Sequence, residues 1–285
     1  MRPLILVCLG ITWIVWGSTY LAIKFALVSF PPFFQMGTRF LIAGILLLLW
    51  VRWRGHKLPT PVEWRNATII GALMLGGGMG GTAYAEQTVA SGLVVAFIAI
   101  TPALMTLASL PFGVKPTRLE LVGIGIGIAG VFLLIRGAGF AASPAGLTAI
   151  FIACVAWTLG SVFSQHLFRL APSATGIASQ MVCGGALLML LSVSVGEVFA
   201  WPPQPLAAAA WLYLILFGSL ISFYAYMVLL GGASPALASS YSFVNPVVAM
   251  LLGVSVGGET ITTYEWLVAF AIVIGVAVLV LGQRR

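Results

Sequence analysis

Residues 120–131, ELVGIGIGIAGV, return 145 positions later as residues 265–276, EWLVAFAIVIGV. Each stretch opens on a glutamate, runs on through apolar residues and closes on Gly-Val, Gly130-Val131 in one and Gly275-Val276 in the other. Working outward, three more correspondences keep the same order. Pro102 matches Pro246 at 144, Gly17-Ser18 matches Gly160-Ser161 at 143, and Arg39 with Gly44 matches Gln180 with Gly185 at 141. A nearly constant period is the mark of an internal duplication. It divides the chain into residues 1–138 and 139–285.

What is duplicated follows from composition. Of 285 residues, 61% are hydrophobic and 7% charged, whereas a water-facing domain carries about 25% charge. There is too little polar side chain to coat a soluble globule, so a soluble enzyme is excluded. Apolar runs fall at 4–28, 32–52, 66–88, 90–112, 120–136, 146–168, 174–196, 207–230, 235–256 and 264–282. Each approaches the roughly 20 residues needed to cross a hydrocarbon core. Helix is the open structure that satisfies its own backbone there. The expectation is an all-α membrane protein with ten transmembrane helices in two five-helix repeats. Because five is odd, the second copy enters the bilayer upside down. Inverted repeats of this kind enclose a midplane substrate site in secondary transporters.

The basic balance, +7, has a topological cause. With a cytoplasmic N-terminus, Arg2, Arg52, Arg54, Lys57, Arg65, Lys115, Arg118, Arg169, Arg284 and Arg285 gather on the inner side. Arg136, Glu197, Glu259 and Glu265 fall outside. That is the positive-inside asymmetry, with both termini cytoplasmic. Cys8, Cys154 and Cys183 lie in apolar runs and read as packing residues, not as a disulfide or metal framework.

At this point the chain resembles the drug/metabolite transporter superfamily, in its EamA-type exporter branch. The resemblance is carried by Trp16-Gly17-Ser18, by Pro31-Pro32 leading to Arg39, by Pro102 and Pro246, and by Gly258-Glu259 before the last helix. It covers the whole chain. It implies ten helices in two halves and export of amino acids or other small metabolites across the inner membrane.

Ionisable groups inside a membrane are costly and are functional candidates by default. Lys24 stands near the outer end of helix 1, where its stem can snorkel to the interface. Arg39 lies about 10 Å deep in helix 2 and calls for a partner. Glu86, near the outer end of helix 3, is the carboxylate placed to serve. A Glu86–Arg39 or Glu86–Lys24 pair is a candidate outer gate, a structural ion pair is the alternative, and Glu86 as a proton site is a third reading. His166 reads as an interfacial group and His56 as solvated.

The expected cavity wall is aromatic and hydroxylic: Trp16, Ser18 and Tyr20 on helix 1; Tyr84 on helix 3; Phe97 and Thr101 on helix 4. Trp157, Ser161 and Ser164 on helix 6 face them, with Ser222, Phe223 and Tyr226 on helix 8 and Tyr241 and Asn245 on helix 9. Such a lining suits a weakly polar or zwitterionic solute with an apolar side chain, although any one hydroxyl can instead tie helices together. Gly77, Gly78, Gly80 and Gly81 make a hinge or a tight seam in helix 3. Pro102 and Pro246 are expected to bend equivalent helices. Gly123, Gly125, Gly127 and Gly130, with Gly253 and Gly257, read as packing faces.

No HExxH, GxSxG or phosphate-loop pattern is present. The expected partners are therefore a small-molecule substrate and the lipid bilayer, with no cofactor, metal, nucleic acid or ATP. The function expected is export of small metabolites by alternating access, with apolar or aromatic amino acids foremost. Alternatives are a uniporter or proton-coupled carrier for drugs, nucleotide sugars or other solutes, and a membrane-embedded enzyme or lipid-handling protein.

Overall fold

The computed structural model describes residues 3–89, 91–136, 142–199, 201–257 and 262–283. Arg2, Gly258, Glu259, Arg284 and Arg285, used above, lie outside the described residues. So do the surroundings of Gly253 and Gly257.

Ten helical rods are present among the described residues: α1 (Pro3–Ala26), α2 (Pro32–Trp53), α3 (61–85), α4 (91–112), α5 (Arg118–Leu134), α6 (Pro144–His166), α7 (Ala174–Ser194), α8 (Pro205–Gly232), α9 (235–257) and α10 (Thr263–Gly282). Eight contain a stretch long and apolar enough to cross a membrane. The other two are the glycine-rich α3 and the 17-residue α5. Short connections make successive rods alternate in direction, so α1 and α6, five rods apart, run oppositely. The face where α1 begins and α10 ends is called here the terminal face, and the opposite one the far face.

Helix starts follow local chemistry that hydropathy alone hides. α3 begins at Pro61, five residues before its apolar run, because Thr60 and Glu63 form a reciprocal capping box and proline suits the first helical position. The same box opens α5 (Thr117, Glu120) and α10 (Thr262, Glu265). Thr117 does more than cap: its hydroxyl also donates to the Gly282 carbonyl at 3.0 Å, tying α5 to the end of α10. Thr117→Ala is expected to cost about 1 kcal/mol from the cap alone. The thermal midpoint of the purified protein should fall accordingly, and an unmoved midpoint would refute the assignment.

The duplication is visible in local structure. π-helical turns occupy Ala72–Gly80 in α3 and Leu214–Ile221 in α8, 142 positions apart at their starts. Counterpart helices also form the two main seams, α2 against α7 and α5 against α10. A Cβ on Gly44 would lie 2.8 Å from the Val182 nitrogen, and one on its counterpart Gly185 would lie 2.7 Å from the Leu41 nitrogen. In α5, Gly123, Gly127 and Gly130 are packed as expected, but Gly125 faces open space and is not part of the seam. The core gathers at the centre around Trp16, Phe40, Met74, Trp157 and Tyr226, while residues such as Leu49, Trp53 and Phe270 face outward. An apolar exterior is what a lipid solvent selects.

The helix interruptions differ from expectation. α4 breaks just before Pro102, which sits in the first turn of the segment Thr101–Ser109, where a missing amide hydrogen costs least. Pro246 instead lies within continuous helix, and α9 breaks earlier, at Ser239-Ser240. The two prolines therefore differ in local setting: Pro102 starts a helical segment and Pro246 sits inside one.

Candidate functional site

A cavity opens at mid-depth where six rods converge. Its wall is Trp16, Thr19, Tyr20 and Ile23 of α1; Met36 of α2; Gly78, Met79 and Thr82 of α3; and Ile98 and Thr101 of α4. Ala153, Cys154 and Trp157 of α6 and Tyr241 and Asn245 of α9 complete it. Both interrupted helices reach it beside their breaks, through Ile98 and Thr101 and through Tyr241. Among the described residues, no ionised side chain lines it. The Tyr20 hydroxyl stands beside the Asn245 amide, and the Cys154 sulfur beside the Thr101 hydroxyl. The Asn245 carbonyl oxygen is buried without a hydrogen-bond partner, an acceptor free for a guest. The centre of a water-sized sphere can range over about 70 Å³ here, room for a few waters at about 10–15 Å³ each.

Four aromatic rings floor the cavity. Trp16 packs against Tyr241 at 4.7 Å between centroids, against Tyr226 at 5.1 Å and against Trp157 at 5.7 Å; Trp157 and Tyr226 are 5.1 Å apart. The polar edges of Trp16, Trp157 and Tyr226 are satisfied. The Trp16 indole donates to the Gly218 carbonyl at 3.2 Å, the Trp157 indole to the Tyr226 hydroxyl at 3.1 Å, and Ser161 bonds the same hydroxyl at 2.8 Å. Buried tryptophan and tyrosine require such partners.

Below the rings, toward the terminal face, lies a vestibule of about 1330 Å³, bordered by Ile5, Ser164, Gln165, Arg169, Ser173, Met227 and Gln283 among others. Reading down α6 gives the order directly. Ala153, Cys154 and Trp157 meet the cavity, Ser161 holds the ring cluster, and Ser164 meets the vestibule. The rings separate the two spaces.

Of the candidate wall residues, Trp16, Tyr20, Thr101, Trp157, Tyr241 and Asn245 line the cavity. Tyr226 and Ser161 belong to the ring cluster below it. The rest stand elsewhere. Ser18 bonds the Tyr213 hydroxyl at 2.6 Å and ties α1 to α8. Tyr84 is exposed and stacks on Phe33 at 6.0 Å. Phe97 packs with Val89 and Ile150, Ser164 borders the vestibule, and Phe223 is core between Phe40 and Trp157. Ser222 is buried away from the cavity, its hydroxyl unpartnered. Helix register sets these outcomes: a residue one or two positions from a lining residue faces another neighbour. Thr19, Met36, Met79 and Thr82 were missed, and the signal available was helical spacing: Thr19 is three from Trp16, Met36 three from Arg39, and Thr82 four from Gly78 and three from Met79.

The glycines of α3 are close-approach sites. A Cβ on Gly77 would meet Ala156 Cβ at 2.7 Å, on Gly78 Trp157 at 3.0 Å, on Gly80 Leu188 at 2.6 Å and on Gly81 Ala153 Cβ at 3.1 Å. Three of the four lie in or at the end of the π-helical stretch, and π turns interrupt the regular hydrogen-bond ladder.

Arg39 is fully buried, one turn beyond Met36. Its hydrogen-bond partner is Ser219 of the α8 π turn, whose hydroxyl accepts from Nε at 2.9 Å, while the Glu86 carboxylate expected on α3 acts on it electrostatically from beyond hydrogen-bond reach. The guanidinium lies 4.7 Å from the Phe40 centroid, and Nη1 and Nη2 have no hydrogen-bond partner. Its counterpart Gln180 is likewise buried and bonds Met74 Sδ, at 3.2 Å, in the α3 π turn. Glu86 is half-buried at the end of α3, and among the described residues it forms no ion pair with Arg39 or Lys24. Lys24 is exposed in the last turn of α1. His166 stacks on Phe112 at 4.4 Å near the terminal face.

The sequence profile of the EamA-like transporter family matches residues 3–136 and again 144–281. The inner membrane transporter YedA of Escherichia coli K12 is 42% identical over 272 residues, covering 95% of this chain and 89% of YedA. Protein PecM of Dickeya dadantii is 30% identical over 247 residues, covering 84% of this chain and 80% of PecM. A solved crystal structure shares the fold, with a TM-score of 0.82 at 22% identity over 99% of this chain and 98% of that one.

Proposed function

This chain belongs to the EamA-like transporter family, and we propose that it exports small metabolites, chiefly apolar or aromatic amino acids, by alternating access. Residues 1–138 and 139–285 are the two moving halves. The terminal face is cytoplasmic, because Arg52, Arg54, Lys57, Arg65, Lys115, Arg118 and Arg169 gather there. The observation that carries the reading is the cavity: aromatic area, a few uncharged polar groups and one orphan acceptor, placed between the repeats and floored by four rings above an open vestibule. Aromatic surface accepts an apolar side chain, and the Asn245 oxygen accepts a hydrogen bond from an ammonium group.

On this reading substrate enters the vestibule, the rings part, and the glycine-rich π turn of α3 takes up the movement as a hinge. Pro102 relieves backbone strain at the α4 break. The second solute class, neutral drugs or other uncharged metabolites, is favoured by a wall whose described residues are all un-ionised.

The test is flux in proteoliposomes with radiolabelled amino acids. Saturable exchange is expected, and Asn245→Ala is expected to raise the half-saturating concentration about tenfold, the effect of losing one hydrogen bond to a charged group. Absence of saturable flux for every amino acid would overturn the substrate class. Glu86→Gln with unchanged flux from acid to alkaline pH would dismiss Glu86 as a coupling group.

A further inference from the structure

Glu197 touches neither cavity nor vestibule, yet its carboxylate joins the two repeats. Oε1 accepts the Phe33 amide at 3.0 Å and Oε2 the Phe34 amide at 2.7 Å. These are first-turn amides of α2, a helix that its own N-cap side chain leaves uncapped. Such donors are orphans, and the helix dipole adds to their attraction for an anion. The same α7–α8 loop is anchored twice more: Ser29 Oγ accepts the Gln204 amide at 3.0 Å, and Phe199 stacks on Phe34 at 4.5 Å.

The duplication supplies an internal control. α2 and α7 end alike, on Gly55 (φ 81°) and Gly196 (φ 72°). In both, the next amide reaches back five residues: His56 N to Val51 O at 3.2 Å, Glu197 N to Ser192 O at 3.0 Å. The pseudo-two-fold therefore puts His56 where Glu197 stands, but on the terminal face. An imidazole cannot accept from two adjacent amides, and its cationic form is disfavoured at a helix N-terminus. His56 is exposed, and Ser173 before α7 makes no capping hydrogen bond and borders the vestibule.

We infer that Glu197 is a latch: it holds the far ends of α2 and α7 together, so that the resting carrier is closed on the far face and opens at the unlatched terminal face. The inference rests on the alternating-access reading above.

Distances between spin labels in lipid nanodiscs test it, in full-length protein with its three cysteines replaced by alanine. Labels at the exposed Val28 and Val193 report on the far face, and labels at the exposed Leu58 and Leu167 on the terminal face. Glu197→Ala is expected to add a longer far-face distance at about 10% or more of the population, raising a minor state by about tenfold. Glu197→Gln, which keeps one accepting oxygen, should add less. An unchanged far-face distribution in Glu197→Ala that elutes and melts like the parent overturns the latch. A role confined to loop folding would not survive the reverse experiment. His56→Glu, with Glu197 intact, supplies the missing carboxylate and should contract the terminal-face distance; no contraction overturns the symmetry argument. Flux is read separately. If the distances respond but neither parent nor variants carry amino acids, the latch stands and the carrier reading falls.

Discussion

Gly44→Leu is expected to eliminate the folded carrier. A Cβ at Gly44 would lie 2.8 Å from Met181 Cβ, 2.8 Å from the Val182 nitrogen and 3.0 Å from the Ala178 carbonyl oxygen. Overpacking typically costs about 1–3 kcal/mol when neighbouring side chains can yield. Here two of the three obstacles are backbone of α7, so the whole α2–α7 seam must separate, and leucine adds three further carbons. That seam lies on the pseudo-two-fold and carries Arg39 and Gln180, so a shift there reaches both π turns. The expected outcome is loss of the monodisperse peak on size exclusion and of any cooperative thermal transition. Gly125→Leu is the control. Nothing lies within 4 Å of a Cβ there, so that variant should fold and elute like the parent. Equal tolerance of leucine at both positions would refute the packing account.

The second large effect separates stability from activity. Arg39→Met is expected to melt at or above the parent temperature while losing at least about tenfold in flux, or 1.4 kcal/mol of barrier. Replacing a buried ion by an apolar side chain of similar reach is often neutral or stabilising by about 1–4 kcal/mol. That net figure already includes the hydrogen bond that Arg39 donates to Ser219, about 1.5–3 kcal/mol for a charged donor, and Ser219 can turn its hydroxyl to its own backbone instead. The contact with Phe40 contributes about 0.5–1 kcal/mol more. Arg39→Ala should behave differently, because it leaves a void next to Phe40 and the α8 π turn; large-to-small core changes cost about 2–5 kcal/mol. A buried guanidinium with two unpartnered nitrogens is therefore poorly explained by stability, and the proposal this variant tests is that Arg39 serves the transport cycle, paired with Glu86 or a substrate anion. Full activity in a well-folded Arg39→Met protein would remove that role.

Much of the architecture was legible in the sequence because the bilayer imposes one-dimensional rules. Apolar run length sets the rods, and Thr-x-x-Glu boxes mark where α5 and α10 begin. α3 begins five residues before its apolar run, because the polar Glu63 and Arg65 in its first turns mask in hydropathy a helix start that Thr60, Pro61 and Glu63 announce. The cavity wall was only half legible. Trp16, Tyr20, Trp157, Tyr241 and Asn245 stand out because aromatic and amide groups at mid-depth are unusual, but Tyr84 shares that chemistry, and it and the hydroxylic Ser18 face other neighbours. A helix that is apolar all round gives no periodicity to fix its rotation, so which side of α1 or α3 meets the cavity cannot be read from one strand of residues.

The repeat, the membrane class and the family were decided by sequence alone: period, hydropathy and ordered motifs are properties of the chain taken residue by residue. The pairing of Arg39 with Ser219, the two π turns, the break of α9 at Ser239-Ser240 and the grip of Glu197 on the first amides of α2 were decided only by tertiary structure. Each joins residues on separate helices, or depends on how closely one backbone approaches another. Register and approach are set by the summed packing of many small contacts, and no local pattern encodes that sum.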